Sequence, residues 1–293
     1  MHISEMRRRE DFDLILADTL AEAWSEERGQ VVKVHTATQP ALTQRWVFLP
    51  RHSAFVHRSA SPDTRRFLAD SIRYTTRRWR RPVQYIGGTL LSTRLGILAG
   101  AQVGFSVDPP LERPESKIIL PGNQRIRIFD VVQGRTRVYR KAGFGGELME
   151  REIELRSTGQ GPFPPLHAFC SAGRWFEEEM IAGWCLARCP ASVNPKAAIA
   201  DALAGLDVWT RDGAVSLSAE AHLHALAERV RSALLTLAER FQHDISPWEG
   251  WLEALLEQGR AGSMEVGPSH GDCQDGNLMV CTSGKGLLID WEH

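Results

Sequence analysis

Phe12, Ile15, Leu16, Thr19, Leu20, Ala23 and Trp24 recur at helical spacing, which predicts an amphipathic helix with one face to cover and Gly29 as its stop. The runs "VVKVHTATQ" and "RWVFLP" alternate as short strands. A second helix is predicted from Asp63 through Phe67, Leu68, Ser71, Ile72, Thr75 and Trp79. Ile86 to Phe105, "IGGTLLSTRLGILAGAQVGF", has nearly the length of a membrane span, but its Arg94, Gln102, hydroxyls and glycines turn the expectation to buried strands and turns. "KIILPGNQRIRIFDVV" and "RTRVYRKAGF" then read as strands joined by "PGNQ" and "QGR". "ELMEREIELR", built from strong helix formers, predicts a helix over 147–156, and "RWFEEEMIAG" a further strand. Toward the end, Ser218 caps a helix to Phe241 with Leu223, Leu226, Ala227, Val230, Leu234 and Leu237 as its stripe.

Composition changes this picture little. The chain has 293 residues, 43% of them hydrophobic and 24% charged, which suits an ordinary soluble globular protein of two or three packed units. A net charge of -1 supplies no global attraction to nucleic acid or to a membrane surface. The basic start "MHISEMRRRED" is followed by acidic residues rather than the apolar core of a signal sequence. Cys170, Cys185, Cys189, Cys273 and Cys281 are odd in number, so free thiols and a reducing, cytoplasmic compartment are expected. Cys185 and Cys189 lack a second ligand pair at zinc spacing.

Charge is concentrated locally. The helix from Asp63 carries Arg65, Arg66, Arg73, Arg77, Arg78, Arg80 and Arg81 against Asp63 and Asp70. Such a face is either solvated, with arginine stems on neighbouring apolar surface, or a site for an anionic ligand at Arg65 to Arg81. No recognition motif for nucleic acid accompanies it. "VDPPLERPES" mixes proline and charge between apolar stretches, as a domain border does.

The densest chemistry lies in "SHGDCQDGNLMVCTSGKGLLIDWEH", Ser269 to His293. Gly271, Asp275 and Gly276 oppose helix, so His270, Asp272 and Asn277 stand on a loop. "NLMV" and "GLLID" are strands across the turn "TSGKG", a hairpin that returns Asp290 toward Asn277. Two carboxylates and an amide thus converge, as phosphoryl transfer requires: Asp272 to accept the proton of an attacking hydroxyl, Asn277 and Asp290 to hold magnesium on the phosphates.

His270, Gly271, Asp272 and Asn277 in the order H-G-D-x-x-x-x-N, followed by "LIDWE" after one hairpin, resemble the signature of the aminoglycoside phosphotransferase and choline kinase-like family. The resemblance implies an α+β, two-lobed protein kinase-like fold, with a β-rich small lobe over 113–182 and a helical large lobe over 183–293. Residues 1–112 would form an N-terminal α/β extension without a counterpart. It implies transfer of the terminal phosphate of ATP, with Mg2+, to a hydroxyl of a small molecule or saccharide. By the same match Asp272 is the base, His270 braces the loop, and Asn277 and Asp290 bind metal. Family members usually continue past the "IDWE" element, so a large lobe truncated at its C-terminus is expected, and with it the alternative of a catalytically silent nucleotide-binding module.

A nucleotide site would then have to come from upstream. Gly122 and Asn123 in "LPGNQRI" offer a tight turn for phosphates, or a plain hairpin turn. Lys141 is the candidate phosphate-contacting lysine and Glu152 its helical partner, although alternation sets Arg140 on the face opposite Lys141 and leaves it as the other choice. Glu179 to Ile181 would offer backbone groups to adenine at the hinge between lobes.

Overall fold

The computed structural model describes residues 3–36, 46–73, 80–157, 161–190, 192–241, 244, 246–258, 263–267, 269–271 and 273–289. Its main feature is a nine-stranded sheet in the order β1-β4-β2-β3-β5-β6-β7-β9-β8. The strands are β1 (Lys33–Thr36), β2 (Trp46–Leu49), β3 (Ala54–His57), β4 (Gln102–Asp108), β5 (Lys117–Pro121), β6 (Arg125–Asp130), β7 (Arg135–Arg140), β8 (Leu166–Phe169) and β9 (Trp175–Glu179). Every pairing in it is antiparallel.

Strand alternation divides the apolar residues between the two faces. Phe48, Phe55, Phe105, Ile119, Ile126, Ile128 and Tyr139 share a core with α1 (Ile3–Arg9) and α2 (Phe12–Arg28). Trp46 stacks on Phe105 there, with centroids 5.5 Å apart. The predicted stripe of α2 is buried as Phe12, Leu16, Thr19, Leu20, Ala23 and Trp24, and Gly29 ends the helix at φ 62, the left-handed conformation that glycine adopts without a Cβ penalty.

The residues one position along the strands point the other way. Ala54, Val56 and Ile118 pack with Leu68 of α3 (Pro62–Arg73), Leu91 of α4 (Arg81–Leu91) and Ile97 of α5 (Arg94–Gly100). Further along, Val138 and Phe176 are covered by Met149 and Ile153 of α6 (Glu147–Ser157).

Residues 86–105 correct the reading from sequence: they form α4 and α5 before reaching β4. Thr93 caps α5, its hydroxyl accepting from the Gly96 amide at 3.0 Å. Gly88, Gly96 and Gly104 serve close packing rather than turns. A Cβ on Gly88 would lie 3.0 Å from the Ala69 carbonyl of α3, and one on Gly104 would collide with the Trp46 carbonyl across the sheet.

The sheet runs through the expected border near residue 112, because β3 pairs with β5 through Phe55↔Ile119 and Val56↔Ile118. Compact units fall elsewhere: one comprises Met1–Leu206 with His270–His293, the other Asp207–Ser269. The second contains α8 (Ala219–Phe241), α9 (Ser246–Gln258) and a ladder of β11 (Val215–Ser218) with β12 (Ser263–Val266). The Ser218 hydroxyl accepts from the Ala221 amide at 3.3 Å, capping α8 as its sequence predicts. Among the described residues no helix is long and apolar enough to cross a membrane. All five cysteines are free.

Candidate functional site

The predicted hairpin forms from β13 (Leu278–Cys281) and β14 (Gly286–Leu288), in the register Leu278↔Leu288, Met279↔Leu287, Val280↔Gly286. Gly284 makes the turn at φ 87. Leu278, Val280 and Leu288 are buried, and β10 (Gly183–Cys185) adds a third strand through Gly183↔Cys281. Gly286 lies against α7 (Pro195–Asp212) so closely that a Cβ would collide with the Ala198 carbonyl, while its amide donates to Asp201 Oδ2 at 3.0 Å. The strand ends are therefore fixed in position.

The loop before the hairpin is tied down at both ends. His270 is buried, and its Nε2 donates to the Ile289 carbonyl at 2.9 Å, so that the ring holds backbone. The Ile289 amide in turn donates to the Asn277 carbonyl at 2.9 Å. Asn277 is also buried, and its amide donates to the Gln274 carbonyl at 3.0 Å, closing the loop's last turn. His270 and Asn277 thus meet through one residue, Ile289, the neighbour of Asp290. Gly271 takes φ 77 directly after the histidine, a conformation that favours glycine. Asp272 and Asp290 lie outside the described residues.

The upstream candidates divide. Gly122 and Asn123 form a tight turn between β5 and β6, with the Gly122 amide donating to the Arg125 carbonyl at 2.7 Å. Glu179 and Ile181 line a cleft of about 550 Å³ together with Phe163, Phe169 and Lys285. Lys141 and Glu152 are not brought together. Lys141 follows Tyr139 onto the face beneath α1 and α2, where its buried ammonium meets Glu10 Oε1 at 2.5 Å and lies over the Phe12 ring at 5.4 Å. Glu152, a residue of α6, lies on the other face of the sheet and pairs instead with Arg125 and with Arg156 at 2.8 Å. The expected pair fails because strand parity separates the two side chains across the sheet. Arg140 has the opposite parity: its guanidinium lies at the start of α6, where a Cβ on Gly146 would collide with it and would stand 2.8 Å from Glu150 Oε1.

Sequence reading also missed the network around Glu152. Arg156 Nη2 donates to Glu178 Oε2 at 2.6 Å and to the Pro164 carbonyl at 2.7 Å, and the guanidinium lies over Phe176 at 5.0 Å. Arg125, Glu152, Arg156 and Glu178 are all buried, two cations against two carboxylates. Burial pushes the Glu178 carboxyl up, against the opposing pull of Arg156. The signal for this network is the i, i+4 pair Glu152 and Arg156, which in "ELMEREIELR" resembles a solvated surface pair.

Several arginines of the basic cluster have internal partners. Arg65 donates to the Ser92 carbonyl at 3.0 Å and to the Ala60 carbonyl, Arg66 meets Asp63 at 3.4 Å and Arg73 meets Asp70 at 2.8 Å. Arg77 and Arg78 lie outside the described residues.

Comparison with known proteins adds to this geometry. The sequence model described as "Phosphotransferase enzyme family" matches residues 185–293. A choline/ethanolamine kinase family protein from Mesorhizobium loti is similar in structure at 15% identity and a TM-score of 0.28, the match covering 63% of this chain and 58% of that one. No curated protein matches. Residues 185–293, the part of the chain that is similar to the phosphotransferase enzyme family, hold both C-terminal motifs.

Proposed function

We propose that this protein is an ATP- and magnesium-dependent phosphotransferase acting on a hydroxyl of a small molecule or saccharide, built on a two-lobed kinase-like fold. The observation that carries the reading is the pair of bonds through Ile289, from His270 Nε2 and to the Asn277 carbonyl, which holds both ends of "HGDCQDGN" beside the residue preceding Asp290. Asp272 takes the proton of the acceptor hydroxyl as its oxygen bonds to the terminal phosphorus and the bond to the leaving nucleotide diphosphate breaks. Asn277 and Asp290 supply an amide and a carboxylate oxygen, the hard donors that fit magnesium, which neutralises phosphate charge when bound. Gly122 and Asn123 lie over the phosphates, and the backbone at Glu179 and Ile181 receives adenine. Arg140, rather than Lys141, has the parity to supply a cation on the α6 side.

A catalytically silent nucleotide-binding module is the second reading, favoured by the commitment of Lys141 to Glu10. Incubation with ATP labelled on its terminal phosphate, magnesium and a panel of amino alcohols, aminocyclitols and sugars separates the two. Label on an acceptor is expected. Nucleotide-dependent thermal protection without transfer to any acceptor would leave only the silent module, and neither result would remove both.

A further inference from the structure

Helices α4 and α5 turn apolar side chains outward. On α4, Val83, Ile86 and Leu90 recur at i, i+3 and i+7 and are 71%, 60% and 58% exposed, while Gly88 and Leu91 on the opposite face are buried toward α3. Tyr85 is exposed beside that stripe, and on α5 Leu95 and Leu98 are exposed while Ile97 enters the core. The inward face is already packed, and among the described residues the outward stripe is left exposed.

Along this stretch of sequence the charge has one sign. No Asp or Glu occurs between Asp70 and Asp108, an interval that contains Arg73, Arg77, Arg78, Arg80, Arg81 and Arg94. Arg80 and Arg94, which flank the helices, are exposed. An outward apolar stripe on short helices that carry no Asp or Glu, with Arg80 and Arg94 exposed beside their starts, has the chemistry of an element that lies in the plane of a membrane interface: apolar side chains among the acyl chains, guanidinium groups at anionic headgroups.

We propose that the α4–α5 surface docks the protein peripherally on membranes rich in anionic lipid, with Val83, Ile86, Leu90, Leu95 and Leu98 inserted and Arg80 and Arg94 at the headgroups. Docking there would present the catalytic unit to acceptors at a membrane surface, but the inference is independent of the proposed chemistry.

Co-sedimentation of the full chain with sonicated vesicles tests it, comparing phosphatidylcholine alone with phosphatidylcholine and phosphatidylserine in a two-to-one ratio. The protein is expected to pellet with the anionic vesicles, and less as salt rises. The variant Val83→Gln/Ile86→Gln/Leu90→Gln, which changes exposed positions only, should melt like wild type and lose binding by about tenfold or more. Arg80→Gln/Arg94→Gln should weaken binding by about fivefold per arginine and flatten its salt dependence. Equal pelleting with neutral vesicles, no pelleting with either, or unchanged binding by the triple glutamine variant would overturn the proposal. So would size-exclusion chromatography showing that wild type is a dimer which the triple variant converts to monomer without any vesicle binding, since a second copy would then cover the stripe.

Discussion

Asp272→Asn is expected to lower phosphate transfer by roughly a hundred- to ten-thousand-fold, the range that a positioned general base supplies. The substitution keeps the side chain's size and removes its capacity to accept a proton. It leaves in place the anchors on either side, His270 Nε2 on the Ile289 carbonyl and the Ile289 amide on the Asn277 carbonyl. Thermal melting should therefore stay close to that of wild type, since a replacement of the same size keeps those anchors. Magnesium-nucleotide affinity should also be kept, because proton acceptance and metal coordination are assigned to different residues. Parallel measurement of transfer and nucleotide binding checks the division: if both fall together, Asp272 holds the nucleotide rather than the proton.

Glu152→Ala is expected to have the largest effect on stability. The Glu152 carboxylate bridges Arg125 of β6 and Arg156, and all three are buried, Glu152 and Arg156 on α6 itself. Its removal would leave two guanidinium groups with Glu178 as the remaining carboxylate of the network. Leaving a buried charge uncompensated costs about 3–5 kcal/mol. For a domain of this size that corresponds to a fall in melting temperature on the order of ten degrees. The lysine that sequence reading paired with Glu152 provides the contrast. Lys141→Met should lower stability through loss of the Glu10 pair but leave the network around Glu152 intact, because the two side chains lie on opposite faces of the sheet. A double-mutant cycle between positions 141 and 152 should give additive costs, and strong coupling would show that the two do meet.

That contrast shows where sequence was legible. The hairpin of β13 and β14 was readable because its strands, its turn with Gly284 and its flanking loop all use local signals. The stripe and stop of α2 were readable for the same reason. Residues 86–105 were misread because Gly87, Gly88, Gly96 and Gly104 look like turn residues when their neighbours are unknown. The need for Gly88 appears only once α3 is packed against it. Lys141 and Arg140 posed a question of parity that sequence could state but not answer, since the face that α6 covers is a tertiary fact. The network of Arg125, Glu152, Arg156 and Glu178 joins positions far apart in the chain, and its charged residues were expected at the surface because buried ions are rare.

At the site itself, residue types and order pointed to phosphoryl transfer, and the structure adds how the segments are held. The bracing histidine, expected from the motif alone, is seen bonding the backbone one residue before Asp290. Asn277 is held by backbone bonds to Gln274 and Ile289 at the end of the loop.

The central claim is that the loop from His270 to Asn277 and the end of β14 together hold a magnesium-nucleotide. Isothermal titration of the wild-type chain and of Asn277→Ala with ATP, each with and without magnesium, tests it most directly, with melting curves confirming that both are folded. The account predicts saturable binding by wild type that requires magnesium and is weakened at least tenfold in Asn277→Ala, as loss of a charge-assisted ligand entails. Absence of binding, or binding indifferent to magnesium and to Asn277, would contradict it.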